Sequence, residues 1–338
     1  MRNNMESPIT GGPTRLETEP RDLEFRNETY TIKYHYYICE DTDTEFTTEA
    51  LDEINITQVH NLYRKNHSIP FPEEMRSTRE KYGLSARKMS LILEFGENQY
   101  NRYENGAMPS LSNARLIQAA KDPEDFLEFL KASNVLEGKK LEKKVKQIKK
   151  LIFEETTSPK LNLIEYLLGD SRPNEYNGFR EPNLEKVMNM ILYFAKQMNP
   201  WETGMNKVMF YSDFSFFKRT CFSISGTEYR AIQHGPVLKK YGAIFEEAEE
   251  MGFIKIRFDE TRYEGSICKQ FLPGEKKFNS DLFSEVELQT LQDVVDRFDG
   301  MKTSKISDIS HEEDAWLENI EEKELINYLH AFDLKALN

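Results

Sequence analysis

The sequence predicts a mainly α protein with small β elements, of the α+β class. An N-terminal strand-plus-helix module precedes a five-helix domain, and a larger C-terminal α-helical domain carries one strand pair. Three observations predict this. Apolar residues recur at helical spacing through most of the chain beyond residue 49, while alternation is confined to short stretches near 30–36 and 253–271. Helix starts and stops are dense over 70–133, where Pro72, Gly83, Ser85, Gly106, Ser110 and Pro123 punctuate short apolar runs. A chain of 338 residues also exceeds one ordinary domain, so two or three are expected.

Residues 1–21 are polar, rich in Gly and Pro and without apolar periodicity, which predicts a disordered tail. Residues 30–36 (Tyr-Thr-Ile-Lys-Tyr-His-Tyr) alternate as a strand, and Asn27-Glu28 is placed to turn it back on residues 23–26. Leu51, Ile54, Val59 and Leu62 then mark a helix over 49–65, completing a module over 22–66. In the domain at 70–133, Pro72 opens a helix that Gly83 stops, and Ser85 caps a second with Met89 and Ile92 inward. Phe95-Gly96 turns into a third helix over 97–105. Ser110 or Ser112 caps a fourth, and Pro123 opens a fifth. A basic helix and linker occupy 134–183. The C-terminal domain, 184–338, is read as helices over 184–197, 205–218, 236–251, 284–298, 312–319 and 323–330, with strands over 253–258 and 266–271.

The net charge of −13 is unevenly spread. Residues 70–150 hold 16 Lys and Arg against 12 Asp and Glu, a net +4, which leaves −17 for the remainder. A locally basic domain in an acidic chain satisfies what DNA binding needs, because the field near the contact surface outweighs the total. No run approaches the roughly 20 apolar residues of a spanning helix, and no apolar start reads as a signal peptide, so a cytoplasmic protein without a membrane partner is expected. Cys39, Cys221 and Cys268 are too few and too scattered for a disulfide framework or a zinc cluster, so neither metal nor other cofactor is expected.

The run 84–106 carries a helix-turn-helix reading: two short helices, a turn of three or four residues containing Gly, and Tyr100 and Tyr103 inward at i, i+3. Asn98, Gln99, Asn101 and Arg102 then face out. Amides pair with adenine N6 and N7, and Arg forks onto guanine or grips phosphate. Arg87 and Lys88 are candidates for phosphate contact. The competing reading is a small helical bundle with a polar surface. The order Asn98, Arg102-Tyr103-Glu104, Gly106 resembles the helix-turn-helix of MqsA-type antitoxins, and the resemblance implies operator contacts for Asn98 and Arg102. That family carries a preceding zinc ribbon with two CxxC pairs. Here Cys39 stands alone with Thr42 in the second position, and one thiolate cannot build a tetrahedral site, so a metal-free strand module is expected.

In the C-terminal part, Lys207, Tyr211 and Asp213 lie on one helix. Gly226, the run Tyr229-Arg230-Ala231-Ile232-Gln233-His234-Gly235-Pro236-Val237 and a later Ser310-His311-Glu312-Glu313-Asp314-Ala315-Trp316 follow. These marks resemble the Panacea (SocA-like) antitoxin domain over about 184–320. The resemblance implies a non-enzymatic protein that neutralises a neighbouring toxin by direct binding, with these residues as domain signature or toxin contacts. Joined to an operator-binding module, it implies a self-repressing toxin–antitoxin system, with operator DNA, a cognate protein toxin and a second copy of the chain as partners. The alternative is a transcriptional regulator or proteolytic adaptor without a toxin. Read as chemistry, His234 is a candidate general base, Asp213 its orienting acid and Cys221 or Ser225 a nucleophile. Read as structure, His234 bonds backbone at a helix entry set by Pro236, and His311 caps or packs before the Trp316 helix.

The basic run 138–150, with Leu141, Val145 and Ile148 at helical spacing, admits three readings: a solvated helix, a DNA-backbone contact or a dimerising helix. From the ligand count alone, elemental analysis of the purified protein is expected to show no stoichiometric zinc, and a chelator is expected to leave it folded. One zinc per chain would contradict this.

Overall fold

The computed structural model describes residues 5–157, 160–169, 172–263 and 266–337. The first four residues of the expected tail, and residues 158–159 and 170–171 of the expected linker, lie outside the described residues. The fold is mainly helical with small antiparallel sheets, as the sequence predicts. The chain divides into two compact units. The first comprises Met1–Arg21, Ile32–Thr57 and Ile164–Asn338; the second comprises Asp22–Thr31 and Gln58–Leu163. Of residues 22–66, 32–57 fall in the first unit and the rest in the second. No helix among the described residues is long and apolar enough to cross a membrane.

The expected disordered tail is corrected in part. Thr14–Phe25 is a strand, β1, beside β2 (Glu28–Cys39), with β3 (Thr44–Phe46) on the far edge of the sheet. Composition hides β1 because it is mostly half-exposed and held by polar contacts. Arg21 pairs with Glu19 and Glu45 and lies 4.1 Å over the Tyr34 ring. The β1–β2 turn falls on Arg26 and Asn27, both at positive φ (50° and 64°), which fits the right-handed twist of a hairpin. Helix α1 (Glu49–Asn66) follows, and its buried Asn55 bonds both the amide and the carbonyl of His35 on β2 (2.8 and 2.9 Å).

The second unit contains α2 (Pro72–Lys81), α3 (Ala86–Ile92), α4 (Gln99–Glu104), α5 (Leu111–Ala119), α6 (Pro123–Ala132) and α7 (Gly138–Thr157). Ser85 accepts from Lys88 N–H and Ser110 from Asn113 N–H, as the sequence marks, and Asp122, which the sequence reading did not single out, caps the helix that Pro123 opens. Helices α2, α3 and α4 each end in the same double-bonded stop, with Gly83, Glu94 and Gly106 at positive φ. In α3, Phe95 N–H reaches Ser90 O (2.7 Å) and Glu94 N–H reaches Leu91 O (3.2 Å). Met75, Tyr82, Met89, Ile92, Tyr100, Ile117, Phe126 and Leu130 form the core, with the Tyr82 and Phe126 rings stacked 3.8 Å apart. Ile148 of α7 joins this core, with Leu141, Val145, Leu151 and Ile152 packed against it. The apolar face that a dimerising helix needs is therefore already covered.

In the first unit, α10 (Glu202–Thr220) is the central element, and every residue from 204 to 217 is buried. A helix buried on all sides belongs in a core, and its polar residues must find partners there. Around it lie α9 (Leu184–Met198), α12 (Glu285–Phe298), α13 (Thr303–His311) and the antiparallel pair β6 (Ile254–Tyr263) and β7 (Ser266–Pro273). Two sequence expectations are corrected here. Residues 236–240 are not helical: β4 (Tyr229–Ile232) and β5 (Gly235–Leu238) form a hairpin that pairs Ala231 with Pro236, and α11 (Tyr241–Glu250) begins later. The helices expected over 312–319 and 323–330 are replaced by α13, a single turn α14 (Asp314–Leu317) and a 3-10 turn at Tyr328–Asp333. The break falls at Glu313, whose side chain turns inward.

In the second unit, Arg79 of α2 forms an ion pair with the buried Glu104 of α4 (2.5 Å) and also donates to Leu84 O (3.0 Å). Breaking a buried pair by removing one partner leaves an uncompensated charge. Arg79→Ala is expected to cost about 3–5 kcal/mol, measured by urea unfolding, while the exposed pair partner Glu80→Ala changes stability little.

Candidate functional site

Two groups of sequence-predicted residues are distinguished by the structure: an exposed polar face on α3 and α4, and a buried cluster around α10.

On α4, Tyr100 and Tyr103 are buried as expected. Tyr100 hydroxyl donates to Met75 O (2.8 Å), and Asn113 Nδ2 donates to the Tyr103 hydroxyl (2.8 Å). The orientation of α4 about its own axis is thus set from both ends. Asn98, Asn101 and Arg102 are exposed, and Gln99 is half-buried. The segment joining α3 to α4 spans 93–98, longer than expected, because α4 begins at Gln99. Asn98 stands at the cap position but makes no side-chain cap bond. The buried hydroxyl of Ser90 on α3 accepts the Tyr100 N–H instead (2.8 Å). Ser90 therefore takes over the capping work and leaves the Asn98 amide exposed. Sequence reading passed over Ser90; a serine in the middle of an apolar helix face was the signal. Arg87 and Lys88 are exposed, and Arg87 pairs with Glu97 (2.8 Å), both side chains more than half exposed.

In the first unit, Lys207, Tyr211 and Asp213 are fully buried on α10 but serve three separate segments. Asp213 Oδ1 accepts the Ile224 and Ser225 amides (2.8 Å each). Its Oδ2 accepts Ser225 Oγ (2.5 Å) and the Tyr229 hydroxyl (2.7 Å). Burial raises its pKa against the pull of these donors. Tyr211 donates to Glu313 Oε1 (3.2 Å), and Glu313 also accepts the Lys335 and Ala336 amides (2.8 and 3.0 Å). The role of Glu313 was not read from the sequence; its place between the apolar Ile309 and Ala315 was the available signal.

Lys207 Nζ donates to Pro236 O (2.9 Å), and burial lowers its pKa from 10.5 to about 7. Above it lies Gly235 at φ +95°. A Cβ there would sit 2.5 Å from Ser310 Oγ and 2.6 Å from Lys207 Cε, so only glycine fits. Trp316 Nε1 donates to Ile232 O (2.8 Å), and the His311 ring stacks on Trp316 (4.1 Å between centroids). His311 is the last residue of α13, and burial and the neighbouring Lys207 lower its pKa. Thus Lys207, Gly235, Pro236, Ser310, His311 and Trp316 form one assembly that fastens the β4–β5 hairpin to α10, α13 and α14.

His234 does not stand at a helix entry. It is exposed in the β4–β5 turn, and its carbonyl accepts from Ser307 Oγ (3.3 Å). The arrangement of His234 on Asp213 with Ser225 or Cys221 is not brought together. The bonds formed by Asp213 go to residues 224–229, and burial raises the Cys221 thiol pKa, which disfavours the thiolate. Of the expected toxin contacts, only His234 is exposed and His311 and Trp316 are half-buried; Lys207, Tyr211, Asp213, Gly235 and Pro236 are buried. Among the described residues no group of three or more His, Cys, Asp or Glu side chains is placed to hold a metal ion. Cys39 is buried beside the Thr10 hydroxyl (3.4 Å), and hydrogen bonds from Ser7, Thr10 and Thr42 lower its pKa to about 6.

Gly235→Ala is expected to destabilise the protein by about 1–3 kcal/mol through overpacking against Ser310 and Lys207. The linkage for Lys207 has a definite sign. The folded chain releases this proton near pH 7 and the unfolded chain near 10.5, so the group makes stability rise with pH between those values, and its burial cost is fully present below about 7. The rise in unfolding free energy between pH 7.5 and 9.5 should be smaller in Lys207→Met than in the wild type. An equal rise in both would show that the amine does not titrate there.

Residues 205–317 match the family model described as antitoxin SocA-like, Panacea domain. The match spans nearly all of the central helix, the β4–β5 hairpin and the His311–Trp316 pair. No curated protein matches the chain. Residues 205–317 thus carry a SocA-like Panacea domain, the domain of an antitoxin family.

Proposed function

We propose that the chain is the antitoxin of a toxin–antitoxin system, which neutralises a neighbouring protein toxin by direct binding through its Panacea domain and represses its own operon through α3 and α4. The match over residues 205–317 carries the first half of this reading. The toxin meets the exposed surface of the domain, because the signature residues are mostly buried and maintain its shape. The charge outside 70–150, −17, favours fast association with a basic partner, at a rate that falls as salt screens it.

The second half rests on the exposed amides. In this reading α3 and α4 are a helix-turn-helix of the MqsA type, with Asn98, Gln99, Asn101 and Arg102 on base edges and Arg87 and Lys88 on phosphate. An exposed pair such as Arg87–Glu97 is worth little, so Arg87 exchanges Glu97 for a phosphate at small cost. Binding as a homodimer places two copies of α4 about one helical turn of DNA apart.

Co-expression with the toxic reading frame beside the gene is expected to restore growth; failure to rescue while both proteins accumulate would refute the antitoxin reading. On DNA from the upstream region, Asn98→Ala is expected to cost about 1–3 kcal/mol and to blur the preference at one base pair. If Asn98→Ala and Arg102→Ala both bind as the wild type does, α4 is not the reading helix. His234→Ala tests catalysis: loss of neutralisation at unchanged toxin affinity would make the protein an enzyme.

A further inference from the structure

We infer that the flank of α7 bearing Lys140, Lys143 and Lys144, together with Lys88 of α3, is a sequence-independent clamp on the sugar–phosphate backbone of duplex DNA, beside the face of α4 proposed to read bases. The inference rests on the DNA-binding reading above and names a second contact surface for it.

The inner face of α7 is occupied by Leu141, Val145 and Ile148, packed on the core of the second unit. Of its seven lysines between 138 and 150, against the single acid Glu142, all but Lys144 are exposed. One of them shows where the helix is fastened. Lys144 is half-buried, and its Nζ donates to Tyr82 O (2.6 Å) and Gln147 Oε1 (2.8 Å), beside the turn that leads into α3. Lys144 feels Lys88 and Lys143 directly: burial lowers its pKa, and both neighbouring ammonium groups lower it further. The Lys144 ammonium lies beside Gly83, where a Cβ would sit 3.6 Å from Nζ, two residues before the Ser85 cap of α3, so α7 brings its lysines up to the start of the helix that carries Lys88. Residue 87, next along α3, is the arginine that touches Glu97 just ahead of α4. Lys88 therefore stands one residue from the ion pair that precedes α4.

The helix partitions its own charge. Lys150 is neutralised by Glu154 (3.1 Å), and Lys81 of α2 by Glu155 (2.7 Å), so the C-terminal half of α7 carries little excess. Among the described residues, Lys140 and Lys143 have no carboxylate within ion-pair distance. At 100° per residue, Lys140 and Lys144 share a flank with Lys143 next to it, while Lys149 falls on the opposite side of the axis from Lys140 and Glu142 lies on its side. Unpaired like charges held together repel one another, and a polyanion whose phosphates release counterions on contact removes that cost.

The test is fluorescence anisotropy of the full chain on two duplexes of equal length, one from upstream of its gene and one of scrambled sequence, titrated over a range of KCl. Each phosphate neutralised adds about 0.9 to the slope of log affinity against log salt. The double variant Lys140→Gln, Lys143→Gln is expected to lower that slope by about 1–2 and to weaken both duplexes by the same factor, so the preference for the upstream sequence is kept. Lys149→Gln is expected to leave the slope unchanged, and both variants should melt as the wild type does, because the residues are exposed. An unchanged slope in the double variant, or an equal loss in Lys149→Gln, overturns the clamp even if α4 reads DNA. Loss of a protein partner with the slope intact overturns it in favour of an acidic protein. Absence of wild-type binding to either duplex overturns both this inference and the DNA-binding reading.

Discussion

The first unit depends on one buried carboxylate. Asp213 lies in the middle of a helix whose residues 204–217 are all inside, and a charge there is tolerable only because four donors converge on it. Those donors come from the chain that leaves α10, so satisfying Asp213 dictates the path from Ile224 to Tyr229 and hence the start of β4. The Tyr229 ring, held by its hydroxyl, packs edge-on against Phe210 and Phe214 of the same helix. Hydrogen bonding and aromatic packing therefore select the same loop conformation.

Lys207 and Tyr211 repeat this logic at two other points of α10. One holds the Pro236 carbonyl and the other holds Glu313. A central helix buried on every side gets little rotational preference from apolar packing alone, because its faces differ little in burial. Three polar residues, each with a single partner segment, supply that distinction. The marks by which the Panacea domain is recognised are accordingly those of its framework.

In the second unit the same economy of polar groups serves an exposed face. Ser90 satisfies the start of α4 from within the core, the two tyrosines and the Arg79–Glu104 pair fix its orientation, and the amides and Arg102 stay outside. A helix held in this way and presenting exposed amides is suited to recognising another polar surface, since little backbone positioning remains to be done on contact.

How much was legible in the sequence divides along the range of the forces involved. The mainly α class, the caps at Ser85 and Ser110, the stops at Gly83 and Gly106, and the inward tyrosines of α4 follow from local rules: a hydroxyl three residues before an amide, a glycine at positive φ, an apolar repeat at helical spacing. The charge imbalance and the residues of the Panacea signature were equally readable, because they are properties of the chain. Other features were decided only in three dimensions. Strand β1 lacks apolar periodicity and exists because β2 pairs with it. Pro236 is extended because Lys207, 29 residues away, takes its carbonyl. The helix expected through residue 313 breaks because Glu313 is drawn inward by Tyr211 and the amides of 335 and 336. Whether Asp213 orients a histidine or closes a loop, and whether the lysines of α7 stand near those of α3, are likewise questions of long-range contact. Local backbone preference and hydrophobic pattern act over a few residues and are written in the sequence; the partner of a buried polar group is chosen by packing across the whole unit, which only the tertiary structure determines.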